Sequence, residues 1–204
     1  MNTPALILQV AIEKYLLKQP FHITGQTMVE AEVVTVTLQR AGHRGRAEAS
    51  GVYYRPGDDI PGVIRQIETV RARVEAGISR ESLQHLLPAG GARNALDCAL
   101  WDLEAKETGR PAWQIAGLER PHPLLTTFTV GANEPEKMAA DARAYTHARA
   151  IKLKLTGEAV DADRVRAVRS ARPEVWLGVD ANQGFTPVSF AKLLPVLIES
   201  RVEL

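Results

Sequence analysis

AIKLKL at residues 150–155 and VWLGVD at residues 175–180 decide how this chain folds. Both are short aliphatic runs bounded by turn formers, the pattern of a strand in a well-covered sheet. TTFTV at 126–130 precedes them as a third strand. Each strand is followed by a helical stretch: NEPEKMAADARAYTHA with Pro135 in its first turn, DADRVRAVRSA, and TPVSFAKLLPVLIES, which has to tolerate Pro195. RVEL at 201–204 then begins another strand-like run. Strands alternating with helices predict a parallel sheet whose crossovers are right-handed. An eight-unit barrel takes roughly 200 to 250 residues, so three units and the start of a fourth strand read as the front part of a longer protein.

The first 120 residues have another rhythm. Leu8, Val10 and Ile12 alternate with Gln9, Ala11 and Glu13, the period of a half-buried strand. Val33–Leu38 is rich in β-branched residues and reads as a second strand. Between them KQPFHITGQT at 18–27 reads as a loop. Gly42 and Gly45 predict a hairpin turn into a third strand, RAEAS. Pro61 can open a helix with Val63, Ile64, Ile67, Val70 and Val74 at helical spacing and Gly77 as its stop. Ala92, Ala95, Leu96, Ala99, Leu100 and Leu103 share one face of a second helix, ended by Gly109 and Pro111. Residues 1–120 are therefore expected to form an α+β unit, and 121–204 part of a parallel α/β sheet, whether of a barrel or of an open doubly wound fold.

Composition narrows the function. The 204 residues are 45% hydrophobic and 24% charged, ordinary values that exclude disorder and a collagen-like fibre. A net charge of +1 gives no electrostatic reason to expect nucleic acid or an anionic membrane as partner. One cysteine, Cys98, excludes an internal disulfide and a cysteine zinc cluster. The start, MNTPALILQVAIEK, has no basic flank and is a poor signal peptide, and no run is long enough to span a membrane. A cytoplasmic location is expected. The five histidines show no metal-binding spacing, and no GxSxG, GxGxxG or GxxxxGK[ST] occurs.

The chemistry concentrates on the strands. Lys152 and Lys154 are two residues apart, so both leave one face while Ile151, Leu153 and Leu155 leave the other. The aliphatic face suits packing against helices, which turns the lysines to the inner side of the sheet. Two ammonium groups there need a carboxylate or an anionic substrate. Burial and like-charge repulsion both favour a neutral amine, available as a base. Asp180 ends the next strand, with Asn182 two residues on, at the rim where such sheets carry their sites. Alone, a Lys-x-Lys is more often a solvated edge, and VDAN as readily caps a helix. Together they invite proton removal beside a substrate carboxylate, with a divalent cation stabilising the charge that moves onto its oxygens. Mg²⁺ takes about six oxygen ligands, of which Asp180 supplies one.

ARNALDCALWDLEAKETGRPAWQIAGL, TTFTVGANEPEKMA, IKLKL and VDANQG, in this order, resemble the muconate-lactonizing subgroup of the enolase superfamily. Within it the likeness is to dipeptide epimerases of the L-Ala-D/L-Glu type. The resemblance implies an N-terminal α+β capping domain followed by the first part of a (β/α)7β barrel. It implies that Lys154 is the general base on one face of the substrate α-carbon and that Lys152 helps neutralise the carboxylate. Asp180 would ligate Mg²⁺ with Asn182 behind it, Thr129 would contact substrate, and Phe21–Thr27, containing His22, would be the lid. Two further carboxylate ligands and an opposite-face lysine lie on later strands of complete members, so this portion alone is expected to be inactive.

The implied reaction is epimerisation of a carboxylate substrate such as a dipeptide through an enediolate. The same half-site would serve a cycloisomerase, an o-succinylbenzoate synthase or an N-acylamino-acid racemase; a non-catalytic binding or assembly remnant is the reading from another class. The expected partner is the substrate; the residues do not give an oligomeric state, although the resemblance, to a family whose members often associate, admits a homo-oligomer. Arg164, Arg166, Arg169 and Arg172 read as a solvated helix face, Asp97, Asp102 and Glu104 as structural or surface groups, and Cys98 as a small buried hydrophobe.

Overall fold

A computed structural model describes residues 5–52 and 54–204, so the first four residues of the N-terminal run lie outside it. The chain divides into two compact units: the described residues through Leu16 with Glu30–His122, and Leu17–Val29 with Pro123–Leu204.

β1 (Ile7–Ile23), β2 (Gln26–Arg40) and β3 (His43–Ser50) form a sheet in the order β1-β2-β3, of which all but the hairpin end Leu17–Val29 belongs to the first unit. The turn between β2 and β3 is Ala41–Gly42, both with positive φ (49° and 82°), which is the two-residue hairpin geometry that matches strand twist. Gly45 is not in that turn but inside β3, opposite Leu38. A Cβ there would collide with the Ala99 carbonyl oxygen and stand 2.6 Å from Leu103 Cβ, so Gly45 is what lets the second long helix lie against the sheet. The loop expected at residues 18–27 is absent. β1 runs on through Pro20 to Ile23, and the chain reverses at Thr24–Gly25. Pro20 is tolerated because β1 is an edge strand, where a missing N–H can face away from the ladder.

Helix α1 (Ile60–Glu75) starts at Asp59, whose carboxylate accepts from the Gly62 N–H, and Gly77 follows its end with φ 91°. α2 (Arg80–Leu86) was not anticipated; Ser79 caps it by accepting from the Ser82 N–H. α3 (Gly91–Thr108) buries the six residues expected on its face and ends at Gly109 in the left-handed region. The short α4 (Ala112–Ile115) follows. Val34, Val36, Leu38, Val63, Ile67, Leu96 and Leu103 centre this core. Cys98 is exposed rather than buried, because the inward face of α3 is filled by Ala95 and Ala99 on either side of it. Asp97, Asp102 and Glu104 are hydrogen-bonded to Gln84, to the Arg46 N–H and Lys106, and to Arg80.

In the second unit β4 (Thr127–Val130), α5 (Pro135–Ala144), β5 (Ala150–Lys154), α6 (Asp161–Ala171), β6 (Trp176–Asp180) and α7 (Pro187–Glu199) alternate, and the strands pair in parallel in the order β4-β5-β6. α7 continues through Pro195. RVEL is not a regular strand. Arg201 turns with φ 50°, after which the Glu203 N–H donates to Leu177 O and Leu204 O accepts from Val179.

The arginines of α6 are a correction. Arg166 is exposed, but Arg164 and Arg172 are buried. Arg172 donates to the carbonyls of Ala142, Tyr145 and Ala148, closing the end of α5, and Arg169 donates to Ser200 O and Val175 O. Planar guanidinium groups satisfy several strand- and helix-end carbonyls at once, which periodicity cannot reveal. Among the described residues no helix is long and apolar enough to cross a membrane.

Gly45→Ala is expected to destabilise the protein by roughly 1–3 kcal/mol, since the obstruction is backbone and cannot rotate away. Urea unfolding of the variant beside the unchanged protein measures it.

Candidate active site

The site grows out of strand register. Lys154 pairs with Asp180 and Lys152 with Gly178 across β5 and β6, while Thr129 of β4 pairs with Lys152. Paired residues on neighbouring strands share a face, so Thr129, Lys152, Lys154 and Asp180 stand on one side of the sheet. Ile151, Leu153 and Leu155 occupy the other side, fully buried among the helices. Gly178 has no side chain to set beside Lys152, and the Trp176 ring fills that space: a Cβ at Gly178 would lie 2.8 Å from Trp176 Cη2.

Lys154 is only 8% exposed. Its Nζ donates to Asp180 Oδ2 and to Asn182 Oδ1, each at 2.7 Å. Lys152 Nζ lies 3.4 Å from the same Asp180 Oδ2, with about a third of its side chain exposed. Asp180 Oδ1 accepts the Asn182 backbone N–H at 2.9 Å. One carboxylate therefore balances both ammonium groups. Burial pushes the Asp180 carboxyl up, but hydrogen bonds from Lys154, the Asn182 N–H and Lys152, with the charge of Lys154, outweigh it and hold the carboxyl below its ordinary value of 3.8.

Asn182 and Gln183 both have positive φ, 45° and 68°, so the chain turns sharply as it leaves β6. That turn swings the Asn182 side chain back over Lys154. Asparagine is among the residues that enter the left-handed region most readily.

His22 and Thr129 stand apart in their contacts from the group of Lys152, Lys154, Asp180 and Asn182. His22 Nδ1 lies 2.9 Å from Thr27 Oγ1 across the β1–β2 hairpin, and its backbone carbonyl accepts from Ala132 just beyond β4. Thr129 joins the site through register, and its carbonyl accepts from the Tyr145 hydroxyl.

A group that sequence reading missed supports the end of β5. Asp161 is 1% exposed and accepts from the Thr156 and Gly157 N–H groups, at 3.2 and 2.8 Å to Oδ2. Arg164 completes the pair at 2.8 Å and also holds Asn133 O and the Thr156 hydroxyl. Acids opening a helix are common, so only the close return of residues 156–157 marks this one. Among the described residues no group of three or more His, Cys, Asp or Glu could by itself hold a metal ion. Asp180 offers carboxylate oxygen, the donor that suits a hard cation such as Mg²⁺, and fits it as one ligand of several.

The family pattern of the mandelate racemase / muconate lactonizing enzyme N-terminal domain matches residues 7–117, more than half of the chain. The chain belongs to this family. The L-Ala-D/L-Glu epimerase of Escherichia coli strain K12 is 37% identical over 189 residues, covering 92% of this chain and 58% of the relative. An enolase family member from Agrobacterium tumefaciens with homology to dipeptide epimerases, solved with bound sodium and L-Ala-L-Glu, superposes with a TM-score of 0.89 at 38% identity, over 97% of this chain and 60% of its own. The dipeptide epimerase from Cytophaga hutchinsonii, complexed with Mg and D-Ala-L-Val, gives 0.85 at 26% identity, over 99% and 58%. This family member thus spans about three-fifths of the length of these relatives. Its fold is that of their capping domain and the first part of their barrel.

Because Asp180 titrates below the ordinary range, its stabilisation is complete above that range and is lost as pH falls through the depressed value. Above pH 5, Asp180→Asn leaves two ammonium groups without their carboxylate and is expected to melt several degrees lower than the unchanged protein. By pH 3 the gap narrows, which thermal melts across that range will read.

Proposed function

We propose that the complete protein carrying this chain is a Mg²⁺-dependent epimerase that inverts an α-carbon of a dipeptide. The observation that carries the reading is Lys154, buried on the inner face of β5 and held by Asp180 and Asn182 at 2.7 Å each. Relatives that are L-Ala-D/L-Glu or dipeptide epimerases, one solved with Mg and a dipeptide, favour this outcome over cycloisomerisation or o-succinylbenzoate synthesis.

In this reading residues 1–120 are the capping domain and residues from 121 open the barrel. The substrate carboxylate sits toward Lys152, whose ammonium group reduces the negative charge gathering there. Lys154 is the base that takes the α-proton, and the electron pair left on carbon spreads into the carboxylate as an enediolate. Asp180, with ligands from the remainder of the protein, would hold Mg²⁺, which when bound would supply positive charge to offset that gathering on the carboxylate. Asn182 keeps the Lys154 amine aimed while its protonation changes. Thr129, in the row of Lys152, contacts the substrate, and His22 on the hairpin tip faces it from the lid. Inversion needs a second acid on the opposite face, because the proton leaves one side and returns on the other.

Lys154→Ala in the complete protein should lower epimerisation by roughly 10²- to 10⁴-fold. In D₂O it should remove α-proton exchange from one enantiomer only, followed by proton NMR on a dipeptide panel. Unaltered exchange from both enantiomers would remove Lys154 from this role.

A further inference from the structure

The β1–β2 hairpin reverses at Thr24–Gly25, with Gly25 at φ 72°. At this tip the Thr24 hydroxyl lies 2.7 Å from Ala181 O and 3.1 Å from Leu155 O. These two carbonyls sit where the β5–β6 ladder ends, its last rung being the Leu155 N–H on Asp180 O at 3.1 Å. Beyond that rung the strands offer each other no donor, and an unmet carbonyl costs roughly 1–3 kcal/mol. Thr24 brings its single proton to the gap from outside the sheet, and the Gly184 N–H, 2.8 Å from Ala181 O, fills the second lone pair of that oxygen.

Ala181 lies between Asp180 and Asn182, the two acceptors that grip Lys154. Fixing its carbonyl orients the peptide that determines where both acceptors point. Gly184 closes in on the same spot, since a Cβ on it would stand 2.8 Å from Thr24 Oγ1. The His22 carbonyl, accepting from Ala132, ties the same tip to the end of β4.

We propose that Thr24 is a positioning residue: its hydroxyl latches the hairpin tip to the ends of β5 and β6 and sets the Asp180–Asn182 turn. This deepens the preceding reading, in which that turn presents Asp180 to Mg²⁺ and steadies Lys154. Thr24 acts through Ala181 and touches no reacting atom. Nothing in the tip sequence distinguishes it from an ordinary turn threonine.

The test uses the complete protein and two variants. Thr24→Val keeps the branched shape and removes the hydroxyl; Thr24→Ser keeps the hydroxyl. Amide hydrogen exchange of segments 19–27 and 181–185 should quicken about tenfold or more in T24V and return to the original rate in T24S. Mg²⁺ affinity without substrate, by isothermal titration, should weaken about tenfold in T24V and recover in T24S. Should T24V not fold, Thr24→Ala carries the same measurements. Unchanged exchange at 181–185, unchanged Mg²⁺ affinity, or failure of serine to restore either overturns the proposal. Dipeptide turnover by the unchanged protein is assayed in parallel. Its absence, with the exchange and Mg²⁺ effects present, sinks the epimerase reading and leaves the latch standing.

Discussion

The grip of Asp180 and Asn182 on Lys154 is the constraint around which the second unit is arranged. An ammonium group 8% exposed persists only where acceptors meet it, and here two do at 2.7 Å each. The acceptors come from the adjacent strand because β5 and β6 pair in a register that sets Lys154 beside Asp180. That register is held by Ile151, Leu153 and Leu155 on the opposite face, since a slip of one residue would turn those aliphatics inward and the lysines into the helices. The apolar face and the charged face thus enforce one another.

The rim is held by hydrogen bonds to backbone in addition to the apolar packing of Leu155, Ala181 and Phe185. Asp161 and Arg164 bind the turn after β5 and reach the one after β4, while Thr24 binds the ends of β5 and β6. Side chains aimed at carbonyl and amide groups fix a loop where no strand partner remains. Arg172 and Arg169 do the same at the opposite ends of the helices. A polar lattice of this kind keeps the loops around the inner face in place.

Much of this was legible in the residues. The alternation in AIKLKL predicts which side chains share a face, and the six small and leucine residues of α3 identify its buried stripe, because period and burial are directly linked. What escaped were features set by distant parts of the chain. KQPFHITGQT has no apolar period because both sides of the hairpin there are largely open, so its strands look like loop. Arg164, Arg169 and Arg172 look solvated because a charged side chain counts as polar whether it meets water or several carbonyls. Cys98 looks buried by type, yet its position on α3 places it outward.

By itself the sequence determined the alternation of strands and helices from β4 to α7, the shared face of Lys152 and Lys154, and Asp180 at the next strand's end. Each follows from periodicity and turn chemistry within a few residues. Only the tertiary structure decided that one carboxylate serves both lysines, that Asn182 folds back over Lys154, and that Thr24 reaches Leu155 and Ala181 from 131 and 157 positions away. Those contacts depend on strand pairing and on backbone turns in the left-handed region, where closure across the chain, not local preference, selects the partner.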